Sequence, residues 1–352
     1  MLKNKRLSVL LLLFTILTIQ SCSENYEIIP SINPVLISSD NTLSIIGNPV
    51  ILKATQDGED ITDEAIFQVN GEPIDGNTYN SNEVGEFSVT ATYQEITSET
   101  LVIEYHNGTE VNFKKRVLIE DYTGTWCGYC ARVAYAVEQV LENTSNAVLV
   151  GIHRDSSNPN DATYDPYNYD TSSIEEDLEA VGYPKGYLNR NILWESPEPE
   201  HVSQVLDLTQ GENPKLGLAL TNTIENNSVS LDINVKIAKT FTELKLVVYV
   251  LENGLIYEQK NYTQYFDGEN PIEGFEHNHV LRSSITNLTG DTINISNFDE
   301  DNIYTTNYTF SIPENVSNSE NIEFVAFVID ENGTVINVRK SGTNETQYFE
   351  QI

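Results

Sequence analysis

Glu120-Asp121-Tyr122-Thr123-Gly124-Thr125-Trp126-Cys127-Gly128-Tyr129-Cys130 is the stretch on which the fold turns. Val117-Leu118-Ile119 just before it is a short apolar run of the kind that forms a buried strand. Just after it, Ala131 to Leu141 sets Val133, Val137, Val140 and Leu141 at helical spacing. Two cysteines three apart at a helix start can close a disulfide across one turn. The first, Cys127, is expected to be exposed and to meet the helix's unsatisfied N–H groups and positive dipole end, which favour its thiolate. A low thiol pKa makes it both a nucleophile and a good leaving group. Cys130, further inside, is the thiol that would attack a mixed disulfide and release the substrate. Trp126 is expected to pack beside the pair and shield one side.

Outward from the motif, strands and helices alternate over residues 113–210. Ala147 to Ile152 is an apolar strand, Ser156 to Tyr169 a polar stretch rich in Asn, Asp, Pro and Tyr, and Ile174 to Val181 a helix. Gly186 to Leu188 begins another strand, and His201 to Leu208 is a further helix. That alternation argues an α/β domain. Both flanks read differently. Residues 35–106 carry short β-branched runs separated by Asp57-Gly58 and Asn70-Gly71, which are hairpin turn pairs. Glu86 to Tyr93 alternates as a strand with one wet face. An immunoglobulin-like β-sandwich is the expected fold there. Residues 214–352 return to strands, among them Val229–Ile237, Glu243–Leu251 and Ile322–Ile329, and predict a second, larger β-sandwich. The whole is a multidomain α+β chain.

The N-terminus is a targeting segment. Lys3, Lys5 and Arg6 precede Leu7 to Ile19, an apolar run too short to span a bilayer. It ends in Ile19-Gln20-Ser21-Cys22, which resembles the bacterial lipoprotein signal, in which the cysteine is acylated and becomes the new first residue. Residues 1–21 are then the signal peptide and 22–34 a tether, with Pro30 and Pro34 limiting helix. More than one acyl chain makes such an anchor stable.

Composition narrows the classes. The chain has 352 residues, 19 Lys or Arg, 53 Asp or Glu, a net charge of −34 and three cysteines. Removing residues 1–21 deletes three positive charges and no acidic residue, which deepens the charge to −37. Such a chain does not grip a nucleic-acid backbone, nor does it lie on anionic lipid through a basic patch. Three cysteines cannot build a disulfide scaffold. They divide as one lipid site, Cys22, and one pair.

With these residues set out, residues 113–210 resemble the thioredoxin fold, for which Trp-Cys-Gly-x-Cys between strand and helix is specific. The resemblance implies a cis-proline loop facing the cysteines, at Tyr183-Pro184, whose backbone pairs with a bound substrate chain. It also implies a buried carboxylate on the preceding strand that accepts the proton of the second cysteine. Asp121 stands at that offset, and strand alternation is expected to turn only one of Glu120 and Asp121 inward. Gly128-Tyr129 between the cysteines is as in the periplasmic disulfide isomerases. The whole chain is similar to the Omp28-related outer-membrane lipoproteins of Bacteroidetes, on the lipoprotein start, the 120–130 motif and Glu276-His277-Asn278-His279-Val280-Leu281-Arg282. This implies a place on the outer membrane, facing the periplasm or the cell surface.

The function expected is a lipid-anchored thiol-disulfide oxidoreductase or isomerase. Its partners are exported protein thiols or disulfides and a separate redox partner, and it needs no cofactor and no metal. The β domains would space, present or dimerise the catalytic one. The alternative is a cell-envelope binding or assembly lipoprotein whose cysteines are a stable disulfide. In that case Cys127 is buried. His277 and His279, two apart, are expected to share one strand face, with metal binding and packing both open. Asp155, Asp161, Asp165 and Asp170 lack calcium-loop spacing. The Ser156–Tyr169 insertion either rims the site or is a solvated loop.

Overall fold

Strand β1 (Val117–Thr123) is buried along its whole length, and that fact organises the molecule. The structure is a computed structural model, and it describes residues 33–178 and 182–352. The signal peptide, nearly all of the tether and Cys22 lie outside the described residues, as does the end of the helix expected over 174–181. Among the described residues, no helix is long and apolar enough to cross a membrane.

The strand–motif–helix order is as read. β1 leads through the cysteine motif into α1 (Ala131–Asn143). β2 (Ala147–His153) pairs parallel to β1, and β3 (Lys185–Leu188) pairs antiparallel on its other side. Two shorter helices, α2 (Ser172–Asp177) and α3 (Val202–Leu208), complete a thioredoxin-like region. Alternation along β1 sends its side chains to two cores. Val117 and Ile119 join Val133, Ala136, Val137 and Val140 of α1 and Val202, Val205 and Leu206 of α3. Leu118 and Tyr122 point the other way and meet Val247, Tyr249, Leu251, Val325 and Phe327. Each fully buried aliphatic side chain of this kind stabilises by about 1.5–3 kcal/mol.

The second of these cores belongs to the C-terminal region. β4 (Leu244–Glu252), β5 (Val280–Ser284), β6 (Ile322–Ile329) and β7 (Val335–Ser341) continue the same hydrogen-bonded sheet. The joint is a single parallel register pair, Gly151 with Val280, where the Gly151 N–H donates to the His279 carbonyl at 2.8 Å. Alternate residues of β4, namely Leu244, Leu246, Val248 and Val250, face a three-stranded antiparallel sheet formed by Leu216–Glu225, Ser228–Ile237 and Ile303–Ser311. The layers therefore run helices, thioredoxin-like sheet, C-terminal sheet, three-stranded sheet.

The N-terminal region is a sandwich of two small sheets around Val50, Leu52, Phe67, Val89, Ile103 and Tyr105. Its turn pairs behave as expected, with positive φ at both Asp57 and Gly58 and at both Asn70 and Gly71. It seats on the C-terminal end of α1, which has no basic residue in its last turn. Lys53 Nζ donates to the Glu142 carbonyl, Ser38 Oγ to the Asn143 carbonyl, and Thr55 Oγ1 to Asn143 Oδ1 at 2.6 Å. These donors supply, from another layer, what the helix end lacks. Pro34–Ile352 packs as one compact unit.

Candidate active site

Cys127 and Cys130 are joined in a disulfide, their Cα atoms 5.4 Å apart. The chain turns tightly here, with the Cys127 N–H donating to the Gly124 carbonyl at 3.0 Å and the Cys130 N–H to the Cys127 carbonyl at 3.2 Å. Cys130 is the N-cap of α1, and the helix has no acidic residue in its first turn to oppose a thiolate. The pair has the makeup of a thiol–disulfide oxidoreductase active site. One expectation fails, because Cys127 is only 4% exposed and Cys130 1%.

The cover over Cys127 comes from far along the chain. A two-stranded hairpin, Leu255–Gln259 with Ile272–His277, carries a strap, residues 259–271, across the motif. The Lys260 N–H donates to the Thr125 carbonyl at 2.9 Å, and the Tyr262 N–H to the Gly128 carbonyl at 2.5 Å. Gln259 Nε2 donates to the carbonyls of Gly124 (3.2 Å) and Cys127 (3.1 Å). A methyl group placed on Gly128 would fall on the Tyr262 ring, so this position is glycine for space. Nothing in the local sequence of Gln259-Lys260-Asn261-Tyr262 marks it as part of the site.

Trp126 shields the other side. Its Nε1–H donates to the Arg154 carbonyl at 2.7 Å, and its ring meets Tyr183 edge-on with centroids 5.8 Å apart. The Tyr183–Pro184 peptide is cis. Tyr183 donates its hydroxyl to Glu175 Oε2 at 2.7 Å, and Glu175 takes Arg154 Nε at 2.5 Å. Burial, and then this hydrogen bond and the Glu175 charge, raise the Tyr183 hydroxyl above its usual range.

Glu120 and Asp121 are both buried, contrary to the expectation that one would turn out, because both faces of β1 are covered. Glu120 lies on the C-terminal sheet side, 3.2 Å from Arg190 Nη2, which also donates to the Tyr249 hydroxyl at 2.5 Å. Asp121 lies on the helix side. With Cys130, Val137, His153 and His277 it lines a cavity of about 160 Å³. Its Oδ1 has no hydrogen-bond partner. Burial, with the Glu198 charge as a lesser cause, pushes its carboxyl well above the usual range.

The 156–169 insertion is no free loop. Asp165 accepts the Thr125 N–H at 2.8 Å and the Tyr167 N–H at 2.8 Å, and lies 2.9 Å from His153 Nδ1. Although burial opposes it, His153 and these N–H donors hold its carboxyl below the usual range. Pro159, Asp161, Ala162 and Tyr164 of the insertion, with Trp126 and Lys260, edge a groove of about 400 Å³. The two histidines do not share a strand face. The strand ends at His277, which is buried, while His279 has a positive φ and sets Nδ1 2.6 Å from Glu323 Oε2. Among the described residues, no three His, Cys, Asp or Glu side chains are grouped to hold a metal.

Fold and pair together define a thioredoxin-like protein with a redox-active disulfide. The family model for the outer membrane protein Omp28 matches residues 171–347, half of the chain, and the chain belongs to that family. The match begins beyond the cysteines, so their chemistry rests on the geometry above. No curated protein sequence matches the chain. Among solved structures, HBP35 of Porphyromonas gingivalis is similar in fold, with a TM-score of 0.51 and 18% identity over 66% of this chain and 77% of that one. A beta-glucosidase from Kluyveromyces marxianus aligns over 86% of this chain and 45% of that one at 10% identity, and its TM-score of 0.18 carries no argument.

Proposed function

We propose that this protein is a lipid-anchored thiol-disulfide oxidoreductase or isomerase acting on exported proteins. The observation that carries the reading is the Cys127–Cys130 disulfide at the start of α1, with Asp121, whose Oδ1 has no hydrogen-bond partner, in the cavity that Cys130 lines. In the reducing direction, the Cys127 thiolate displaces one sulfur of a substrate disulfide, and that sulfur takes a proton. Cys130 then passes its proton to Asp121 and attacks Cys127 Sγ. The second substrate thiol leaves, and the Cys127–Cys130 disulfide is restored. A dithiol redox partner returns the two electrons. Trp126 flanks the pair, and the cis Tyr183–Pro184 backbone holds the substrate chain.

The placement belongs to the same reading. Residues 1–21 are removed, Cys22 carries the lipid, and 22–34 tether the body to the outer membrane, on its periplasmic or outer face. The regions are 35–106, an immunoglobulin-like sandwich, 113–210, the catalytic region, and 214–352, a β-sandwich. The first and last space, present or dimerise the middle one. The test is reduction of insulin disulfides by the purified protein, with Cys127→Ser and Cys130→Ser as controls. Thiol-dependent turnover lost in both variants is expected, and no turnover in wild type under several reductants would sink the reading.

The 4% exposure of Cys127 favours a second reading, a non-catalytic envelope binding or assembly protein with a structural disulfide. Under it, Cys127→Ser lowers stability and leaves the cellular function intact.

A further inference from the structure

On one side the burial of Cys127 traces to a single segment, the strap. The two faces of the central sheet are covered by apolar cores, whereas the strap meets the cysteine motif mainly through polar groups. On the strap side the cover includes the Lys260 and Tyr262 N–H groups, the Gln259 amide and two rings at the surface. Tyr262 is 53% exposed and Tyr129, which it meets edge-on at 5.7 Å, is 55% exposed. Tyr265 stacks on Tyr135 at 4.6 Å. Contacts of this kind open at a lower free energy than a packed core.

The strap also holds its own shape. Asn261 Nδ2 donates to the Tyr265 carbonyl at 2.9 Å, and Asn261 Oδ1 accepts from the Thr263 N–H and hydroxyl at 2.8 and 2.6 Å. Asn270 Oδ1 accepts the Asn261 N–H at 3.2 Å. These bonds survive if the segment lifts as a unit. Where it joins the hairpin, the strand register breaks between Tyr257 and Gln259. What it offers the motif is a backbone whose N–H groups, at Lys260 and Tyr262, meet the carbonyls of Thr125 and Gly128, one on each side of Cys127. A bound polypeptide can supply the same donors in exchange, at little net cost in hydrogen bonding.

We propose that the Thr125 and Gly128 carbonyls form a docking edge for the backbone of an extended polypeptide substrate, and that strap 259–271 occupies this edge in the resting protein as an internal stand-in, gating the disulfide until a substrate displaces it. The proposal rests on the oxidoreductase reading and names its substrate class and its regulation.

The experiment uses the full chain and two readouts. The first is the rate at which dithiothreitol reduces the Cys127–Cys130 disulfide, followed by alkylation and mass, which needs no substrate. The second is KM for insulin reduction. Gln259→Ala, which removes the side-chain amide bonds to Gly124 and Cys127, and Tyr262→Gly, which removes the ring over Gly128 and keeps the backbone N–H, are each expected to speed reduction by dithiothreitol about tenfold, the weight of one or two weak contacts in an opening equilibrium, and to lower KM for insulin. Gly128→Ala, which drives a methyl into the Tyr262 ring, is expected to speed reduction in the wild-type background and much less in the Tyr262→Gly background. Equal dithiothreitol rates in all variants would overturn the strap, whether or not insulin is reduced. Faster dithiothreitol rates with an unchanged KM would overturn the docking edge. Faster rates with no insulin turnover in any variant uphold the gate and remove the oxidoreductase reading instead.

Discussion

Strand β1 carries two adjacent carboxylates, and the two faces of the sheet treat them in opposite ways. On the face covered by the C-terminal sheet, Glu120 is fully paired, with Arg190 beside it and Phe327 under the guanidinium at 4.8 Å. On the face covered by α1, Asp121 has a buried oxygen with no partner and opens on the cavity that Cys130 lines. Charge that is buried and paired fixes a structure. A buried acid left without a partner stores an unmet demand for a proton or a donor, and in this chain it lines the same cavity as Cys130, whose proton it accepts in the proposed mechanism. The contrast separates the part of the domain that holds it together from the part that reacts.

The strongest way to break the contrast is Glu120→Gln. It leaves the Arg190 charge buried without its counter-ion and is expected to lower unfolding free energy by about 3–5 kcal/mol, measured by chemical denaturation of the oxidised protein. If the loss is under ~1 kcal/mol, the pair is not structural. Next is Asp121→Asn, expected to slow resolution of a trapped Cys127 mixed disulfide by about 100-fold, read by stopped-flow release of a fluorescent thiol. Glu120→Gln should leave that rate within about threefold among molecules that remain folded.

The same two positions differ in pH dependence. The Asp121 carboxyl is raised in the folded state by burial and by Glu198, so the folded protein holds this proton more tightly than the unfolded chain. Its contribution is therefore fully present below the unfolded value, 3.8, and is lost as pH rises through the elevated folded value. Asp121→Asn should flatten that fall and be more stable than wild type at pH 8, as followed by thermal melts across pH. Glu323 runs the other way. Burial opposes ionisation, but the His279 hydrogen bond and charge and Lys340 bring it down to about 2 from 4.5. Its contribution is present above 4.5 and is lost as pH falls toward about 2, a loss that Glu323→Gln should remove. The smallest effect expected is from Lys53→Ala. It removes a cation from the C-terminal end of α1 and should cost about 0.3–1 kcal/mol, well below Glu120→Gln.

What sequence could reveal follows from how local each cause is. The strand, the cysteine turn and α1 lie within 27 consecutive residues, Val117 to Asn143, and their periodicity is self-contained. The turn pairs at 57–58 and 70–71 are equally local. The strap was illegible, because Gln259 reaches Gly124 and Cys127 across more than 130 residues, and no pattern near either partner encodes the meeting. The expectation that one of Glu120 and Asp121 would be wet assumed a sheet with one covered face. It missed that β4 to β7 cover the second face, which is visible only once the sheets are assembled. The reading of His277 and His279 extended a strand period through a residue whose positive φ ends it.

The single register pair between Gly151 and Val280 bears on how the protein can be cut. A fragment spanning 113–210 would lose β5 from beside β2 and bare Leu118, Tyr122, Val148, Val150 and Ile152 on one open sheet. An unpaired strand edge beside an exposed apolar face is the arrangement that draws chains into aggregates. The thioredoxin-like region is thus recognisable as a module in sequence, but a fragment cut to it is expected to aggregate. Any shorter form made for crystals or assays should keep the chain through β7.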